Sequence, residues 1–196
     1  MQCKEERPVV ALLLFDDVEV LDFAGPYEVF AGARDLAAAP LARVFTVAER
    51  GEARCHGGLR VIADATFQTC PAFDALVVPG GPGARERRDG QTALIEFIQA
   101  RKPTAKLIGS VCTGVFLLGR AGLLKGRRAT THSNRLELFA KEFPDANVVA
   151  EKLVDEGDVI TAGGISSGID LALYLLDRWF GRTARDREAR RLDGPW

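Results

Sequence analysis

The unbroken apolar run Val9-Val10-Ala11-Leu12-Leu13-Leu14-Phe15 constrains this chain more than any other segment. A strand with one wet face alternates apolar and polar residues, whereas a continuous run suits a strand covered on both faces. Ala75 to Pro79 and Ala105 to Val111 repeat the pattern, and Val159 to Ala162 is a shorter instance. Arg43 to Ala48 reads as a further strand, Leu59 to Ala63 as a more peripheral one, Arg128 to Thr131 as a short one and Val148 to Val154 as another. Helical stretches intervene from about Pro26 to Ala38, Thr92 to Arg101, Thr113 to Arg120, Asn134 to Glu142 and Ser167 to Phe180. This alternation predicts an α/β fold, a doubly wound and mostly parallel sheet sandwiched by helices. The 196 residues suit one domain, 1–196, with residues 1–8 a flexible N-terminus.

In open α/β sheets, ligands bind beyond the carboxyl ends of the strands. That rule selects five loops: Asp16 to Asp22, Gly80 to Gly83, Cys112-Thr113, His132-Ser133 and Gly163-Gly164. The fold would gather them on one edge around Cys112, which stands between a strand and a helix. Ser110, Cys112 and Gly114 also reproduce the small-x-nucleophile-x-small spacing of a nucleophile elbow, where small neighbours permit a sharp turn. A helix N-terminus behind the sulfur favours thiolate. The competing assignment is a buried structural cysteine.

The neighbouring candidates each carry two readings. Asp22 sits among apolar residues, so desolvation would raise its pKa and leave a proton donor; equally, it is placed to cap a helix led by Pro26. Gly80-Gly81-Pro82-Gly83 either turns backbone N–H groups toward a developing negative charge or is a plain tight turn. Thr113 offers a hydroxyl and an N–H beside the sulfur, or is simply a first-turn helix residue. His132 is the better placed of two histidines to act as base for Cys112, or is a hydrogen-bonded structural residue. Gly163-Gly164 is expected to let the last helix pack closely on the sheet. Asp170 is expected to be a satisfied buried polar residue.

Composition excludes several classes. A net charge of −1 gives no electrostatic footprint for nucleic acid, and the arginine-rich stretch from Arg182 to Arg191 includes Asp186 and Glu188, so it reads as a solvated helix face. No apolar stretch is long enough to span a bilayer, and no secretory signal follows the charged N-terminus. Cys3, Cys55, Cys70 and Cys112 form no C-x-x-C pair and no metal spacing, and Cys55-His56 lacks neighbouring ligands. The glycine turn fits neither a dinucleotide nor a phosphate-loop fingerprint. No metal or organic cofactor is expected, and the expected compartment is the reducing cytoplasm.

Five segments carry a family resemblance: Leu14 to Pro26, Val78 to Gly81, Ser110 to Gly114, Ala121 to His132, and Ala162 to Asp170. Together they resemble, in order and over nearly the whole chain, the ThiJ/PfpI superfamily. Within it the likeness is greatest to isonitrile hydratases and to the amidotransferase-like sensor domains of AraC-type regulators. The resemblance implies a flavodoxin-like sandwich, a homodimer and a strained nucleophilic cysteine with an acidic partner. Carried over by motif, these are Cys112 and Asp22; Thr113 falls where the hydratases contact substrate, and Gly81 in the glycine pair that lends a backbone donor, with His132 and Gly164 at the pocket. Protease-like members place histidine after the nucleophile, so Thr113 argues against a peptidase. Ser133 replaces a usual aromatic. The regulators carry a further helix-turn-helix module of about a hundred residues, which is not expected in this chain. The expected activity is cysteine-dependent hydration of a small isonitrile to an N-substituted formamide. The alternatives are a non-catalytic ligand or oxidation sensor, or a cysteine hydrolase with another substrate.

Overall fold

The computed structural model describes residues 7–86 and 91–196. Most of the segment expected to be flexible, with Cys3, therefore lies outside the described residues. The first half contains β1 (Val9–Leu14), α1 (Val20–Gly32), β2 (Arg43–Ala48), β3 (Glu52–Arg54), β4 (Arg60–Ile62), β5 (Ala65–Thr66), β6 (Ala75–Val78), α2 (Pro82–Arg85) and α3 (Gln91–Arg101). The second half contains β7 (Leu107–Val111), α4 (Val115–Arg120), β8 (Arg128–Ala129), α5 (Leu136–Glu142), β9 (Asn147–Val148), β10 (Leu153–Asp155), β11 (Val159–Ala162), α6 (Ser167–Phe180) and α7 (Arg182–Arg191).

Seven strands form the main sheet in the order β10-β11-β7-β6-β1-β2-β5, parallel throughout except for the edge strand β10. Side chains of a pleated strand alternate between faces. Val10 and Leu12 accordingly join Val29 and Phe30 of α1 and Leu171 and Leu175 of α6 on one face. Ala11 and Leu13 join Leu94 and Ile98 of α3, Phe116 of α4 and Phe139 of α5 on the other. Both faces are dry, as the continuous apolar runs require. The architecture is a flavodoxin-like sandwich.

Several boundaries differ from the sequence pattern, each for a physical reason. Helix α1 begins at Val20 rather than Pro26, which lies inside it. Burial of Asp22, Phe23, Val29 and Phe30 outweighs the preference for proline in a first turn. The helix ends at Gly32 because Asp35 Oδ1 accepts the N–H groups of Ala37 and Ala39, both at 2.8 Å, offering the backbone a turn instead. The peripheral strand near Leu59 is β4, paired antiparallel with β3 in a hairpin outside the main sheet. The single strand expected from Val148 to Val154 is divided: β9 pairs with β8, and β10 joins the main sheet.

Helix α7 is not the solvated face its charges suggest. Glu188 is buried, and Arg191 donates to it through Nε (3.0 Å) and Nη2 (2.7 Å) while Nη2 also reaches the Glu28 carbonyl at 3.1 Å. The arginine thereby fastens α7 to α1. Among the described residues, no helix is long and apolar enough to cross a membrane.

The sheet positions the site by bringing the ends of β1, β6, β7 and β11 together. Gly114 lies against the end of β6, where a methyl group would stand 2.1 Å from the Val78 carbonyl oxygen. Gly114→Ala is expected to lower stability by about 1–3 kcal/mol through overpacking, read as a shift in the urea midpoint. An unchanged midpoint would show that the elbow moves freely off β6.

Candidate active site

Cys112 leaves β7 with φ of +54°, a left-handed conformation that a non-glycine residue adopts only where its surroundings enforce it. A 3-10 turn over Cys112–Gly114 then leads into α4. Thr131 secures the turn by donating its hydroxyl to the Cys112 carbonyl oxygen at 2.9 Å. The elbow expected from the small-x-Cys-x-small spacing is thus formed, and the sulfur-bearing residue is only 5% exposed.

Asp22 lies in the first turn of α1, entirely buried, and does not cap the helix; Glu19 holds the cap position. Its Oδ2 accepts the Gly80 N–H at 2.8 Å. Its Oδ1 is buried without a well-formed hydrogen bond, and the Cys112 thiol interacts with the same carboxyl. Burial pushes Asp22 up to about 7, aided by the Glu19 charge and opposed by the Gly80 N–H and the thiol. Burial also pushes the Cys112 thiol up to about 12, helped by the negative charge of Asp22 and only partly countered by the N–H and hydroxyl of Thr113.

Burial and the Asp22 carboxylate therefore oppose the thiolate that a helix N-terminus favours. The helix behind the elbow has only six residues, and desolvation and the neighbouring Asp22 carboxylate are the largest influences on the thiol. Burial and mutual repulsion thus act against placing a negative charge on both groups at once.

The glycine turn also behaves differently from expectation. Gly80 N–H is taken by Asp22, and Gly81 N–H is taken by Thr113 Oγ1 at 2.9 Å, so neither is a spare donor for substrate. Thr113 in turn donates to the Gly81 carbonyl oxygen at 3.2 Å. A methyl group on Gly80 would stand 2.6 Å from Thr113 N, 2.7 Å from Thr113 Oγ1 and 2.8 Å from Asp22 Oδ2. Only glycine lets this backbone enter between the two side chains.

His132 Nδ1 accepts the Asn134 N–H at 3.3 Å and caps a 3-10 turn over Ser133–Arg135. None of the hydrogen bonds among the described residues joins it to Cys112 or Asp22; its hydrogen bond goes to the Asn134 backbone. Gly164 lies beside that ring, with space for a methyl 3.6 Å from His132 Cδ2; Gly163 is equally unconfined. The close helix packing expected there occurs instead at Gly168, where a methyl would stand 3.0 Å from Pro26 Cδ. Asp170 is not fully satisfied: Oδ1 pairs with Lys152 Nζ at 2.8 Å, but buried Oδ2 has no partner. Burial raises the thiols of Cys55 and Cys70 as well. Among the described residues, no group of three or more His, Cys, Asp or Glu side chains converges as a metal cluster.

Sequence reasoning missed Thr131, although it lies directly before His132, and missed the Glu19 charge acting on both Asp22 and Cys112. A hydroxyl that meets a backbone carbonyl across the sheet leaves no local signal.

Residues 8–178 match the model of the DJ-1/PfpI family. The chain belongs to this family. It is 37% identical over 173 residues to the isonitrile hydratase of Pseudomonas putida, covering 88% of this chain and 72% of the hydratase. It is 29% identical over 174 residues to the HTH-type transcriptional regulator GbdR of Pseudomonas aeruginosa, covering 88% of this chain and 47% of the regulator. A THiJ/PfpI family protein from Pseudomonas syringae is similar in structure with a TM-score of 0.80 at 28% identity, over 96% of this chain and 77% of that one. Drosophila melanogaster DJ-1beta gives a TM-score of 0.80 at 18% identity, over 96% of this chain and 99% of that one, a likeness of fold alone.

The DJ-1/PfpI site holds two acids that share a buried space, which fixes the direction of two measurements. Asp22→Asn removes the charge that opposes thiolate formation, so the Cys112 titration, followed by thiolate absorbance, is expected to move below about 12 while burial keeps it above an ordinary thiol. Asp22 is raised from 3.8 to about 7 in the fold, so between those values the native state binds the extra proton and stability falls as pH rises. Asp22→Asn should abolish that fall; an unaltered pH dependence of unfolding would place the proton elsewhere.

Proposed function

We propose that this protein is an isonitrile hydratase-like enzyme acting through Cys112 and Asp22. The observation that carries the proposal is the Cys112 thiol at a left-handed elbow against the fully buried Asp22 carboxyl, which burial pushes up to about 7. A general acid–base group works best near the operating pH, where both forms are populated. The relationship to the Pseudomonas putida hydratase adds support.

In the proposed reaction, Cys112 Sγ attacks the terminal carbon of R–N≡C. The S–C bond forms as the thiol proton passes to the Asp22 carboxylate, and Asp22 delivers that proton to the same carbon. The product is a thioimidate, R–N=CH–S–Cys112. Water then adds to the imidate carbon, losing one proton to Asp22, while the imidate nitrogen gains one. Collapse breaks the C–S bond, forms the formyl C=O and returns a proton to sulfur, releasing R–NH–CHO. Thr113, beside the sulfur, is positioned to orient the adduct.

The terminal carbon of a linear isonitrile presents little bulk, which suits a cysteine only 5% exposed. A peptide carbonyl is broader, and Thr113 stands where protease-like relatives use histidine. Oxidation sensing needs only an accessible thiolate to attack peroxide and gives the Asp22 carboxyl no proton to deliver to carbon, so the hydratase reading uses more of the site. The homodimer implied by the family remains part of the proposal; light scattering at micromolar concentration should give about twice the chain mass of 21.2 kDa.

Purified protein should convert cyclohexyl isocyanide to N-cyclohexylformamide at a rate unaffected by chelator. Cys112→Ala should abolish turnover, and Asp22→Asn should lower kcat by roughly 10²–10⁴-fold. If several isonitriles give no formamide above the Cys112→Ala background, the hydratase assignment fails in favour of a ligand sensor or another hydrolase.

A further inference from the structure

The turn carrying Gly80 and Gly81 is gripped from behind by Arg120, at the far end of the helix that the elbow opens. Its side chain is only 9% exposed. Nη1 donates to the Ala84 carbonyl oxygen at 2.7 Å and to Gln91 Oε1 at 3.0 Å; Nη2 donates to the Arg85 carbonyl oxygen at 2.8 Å. Nε and Nη2 also reach Glu142 Oε1, at 3.2 and 2.9 Å. The guanidinium carbon lies 5.8 Å from the centre of the Phe116 ring. Gln91 completes the grip, donating Nε2 to the carbonyl oxygens of Gly83 (2.7 Å), Ala84 (3.3 Å) and Glu86.

This arrangement exceeds what stability demands. A buried arginine–carboxylate pair gains little over an apolar replacement, because desolvation offsets its attraction. Directing a rigid fork of donors onto two successive carbonyls of α2 fixes a position instead. The position is that of a backbone on which Gly83 N–H donates to the Asp17 carbonyl oxygen at 3.2 Å and, further upstream, the N–H groups of Gly81 and Gly80 bond to Thr113 and Asp22. Arg120 is therefore joined to the site by two routes: through α4 to Cys112, and through α2 to the partners of Thr113 and Asp22.

We propose that Arg120 is a positioning residue that holds the Gly80–Glu86 turn in register with the elbow, keeping the Gly80 N–H on Asp22 and the Gly81 N–H on Thr113. If the turn drifts, the Gly80 hydrogen bond weakens and Asp22 loses a contact that favours its ionised form. The titratable groups acting on Asp22 are Glu19 and Cys112, and neither is among the partners of Arg120. The inference rests on the proposed hydration only where turnover is read.

The experiment compares Arg120→Lys, Arg120→Met, Gln91→Ala and Glu142→Gln with the full native chain. Three quantities are measured: the thermal midpoint, the pH profile of Cys112 alkylation by iodoacetamide followed by peptide mass, and kcat and KM with cyclohexyl isocyanide. Arg120→Lys keeps the charge but cannot reach all four partners. In both Arg120 variants and in Gln91→Ala, the lower alkylation midpoint, which tracks Asp22, is expected to move upward from about 7. Their kcat should fall about tenfold, with KM within about twofold of the native value. Glu142→Gln leaves the turn contacts in place and should keep the native profile. If Arg120→Met fails to fold, Arg120→Lys and Gln91→Ala decide the matter. Lower thermal midpoints with a native alkylation profile and native kcat would reduce Arg120 to a structural strut and overturn the proposal. If the native chain shows no turnover, the alkylation profile alone decides, so failure of the hydratase reading and failure of this one remain distinct.

Discussion

Cys112 and Asp22 occupy a space in which both cannot be negatively charged at ordinary pH. Removing one anion from water is costly, and placing a second beside it raises the cost further. The pair consequently retains at least one proton near neutrality, and the surrounding backbone is arranged for the single charge left. Gly80 supplies an N–H to the carboxylate, and Thr113 offers an N–H and a hydroxyl to the sulfur. The left-handed turn at Cys112, secured by Thr131, keeps the two acids close enough for one proton to serve both. Strain at the elbow is sustained by the sheet, because β6, β7 and β11 are buried strands that do not yield independently.

The parts of the fold legible in the sequence were those governed by burial. β1, β6, β7 and β11 follow the apolar runs, as strands covered on both faces do. Parts governed by competition between local and tertiary terms were not legible. Pro26 signals a helix start, yet α1 begins at Val20, since the buried side chains of Asp22 and Phe23 hold the preceding turn in place. Arg182 to Arg191 looks solvated by charge pattern, yet Glu188 is buried beneath Arg191, which stays exposed and pairs with Glu28 of α1 in a contact that no local rule predicts.

The site was legible to a different degree. Loop placement at the carboxyl edge follows from topology alone, and brings Asp22, Gly80, Gly81, Thr113 and Cys112 into contact. Their charge states do not follow from it. The helix-dipole argument for a thiolate considers one neighbour, whereas the sulfur responds to the sum of burial, Asp22, Glu19 and Thr113. Likewise the glycine turn was expected to offer N–H groups outward, but the side chains beside it take them first. What local sequence conveys is which groups are available; which of them pair depends on distances of a few tenths of an ångström across the sheet.

A thiol and a carboxyl that burial raises together are tied through the proton they share. A preformed thiolate reacts with any electrophile that reaches it, and proton supply is a separate step. In the proposed hydration the nucleophile becomes strong only as its proton leaves, and its acceptor is the Asp22 carboxyl that later protonates carbon. Attack and protonation are thereby coupled through one group, which favours substrates that need both at a single atom. The terminal carbon of an isonitrile is such an atom: it accepts the sulfur and then the proton. An amide carbonyl asks for a donor at oxygen during attack and another at nitrogen during departure. With the N–H groups of Gly80 and Gly81 already engaged, this site is poorly equipped for that demand. Under the proposed function, the hydrogen bonds that close the glycine turn onto Asp22 and Thr113 withhold the donors that the oxyanion of acyl transfer would require.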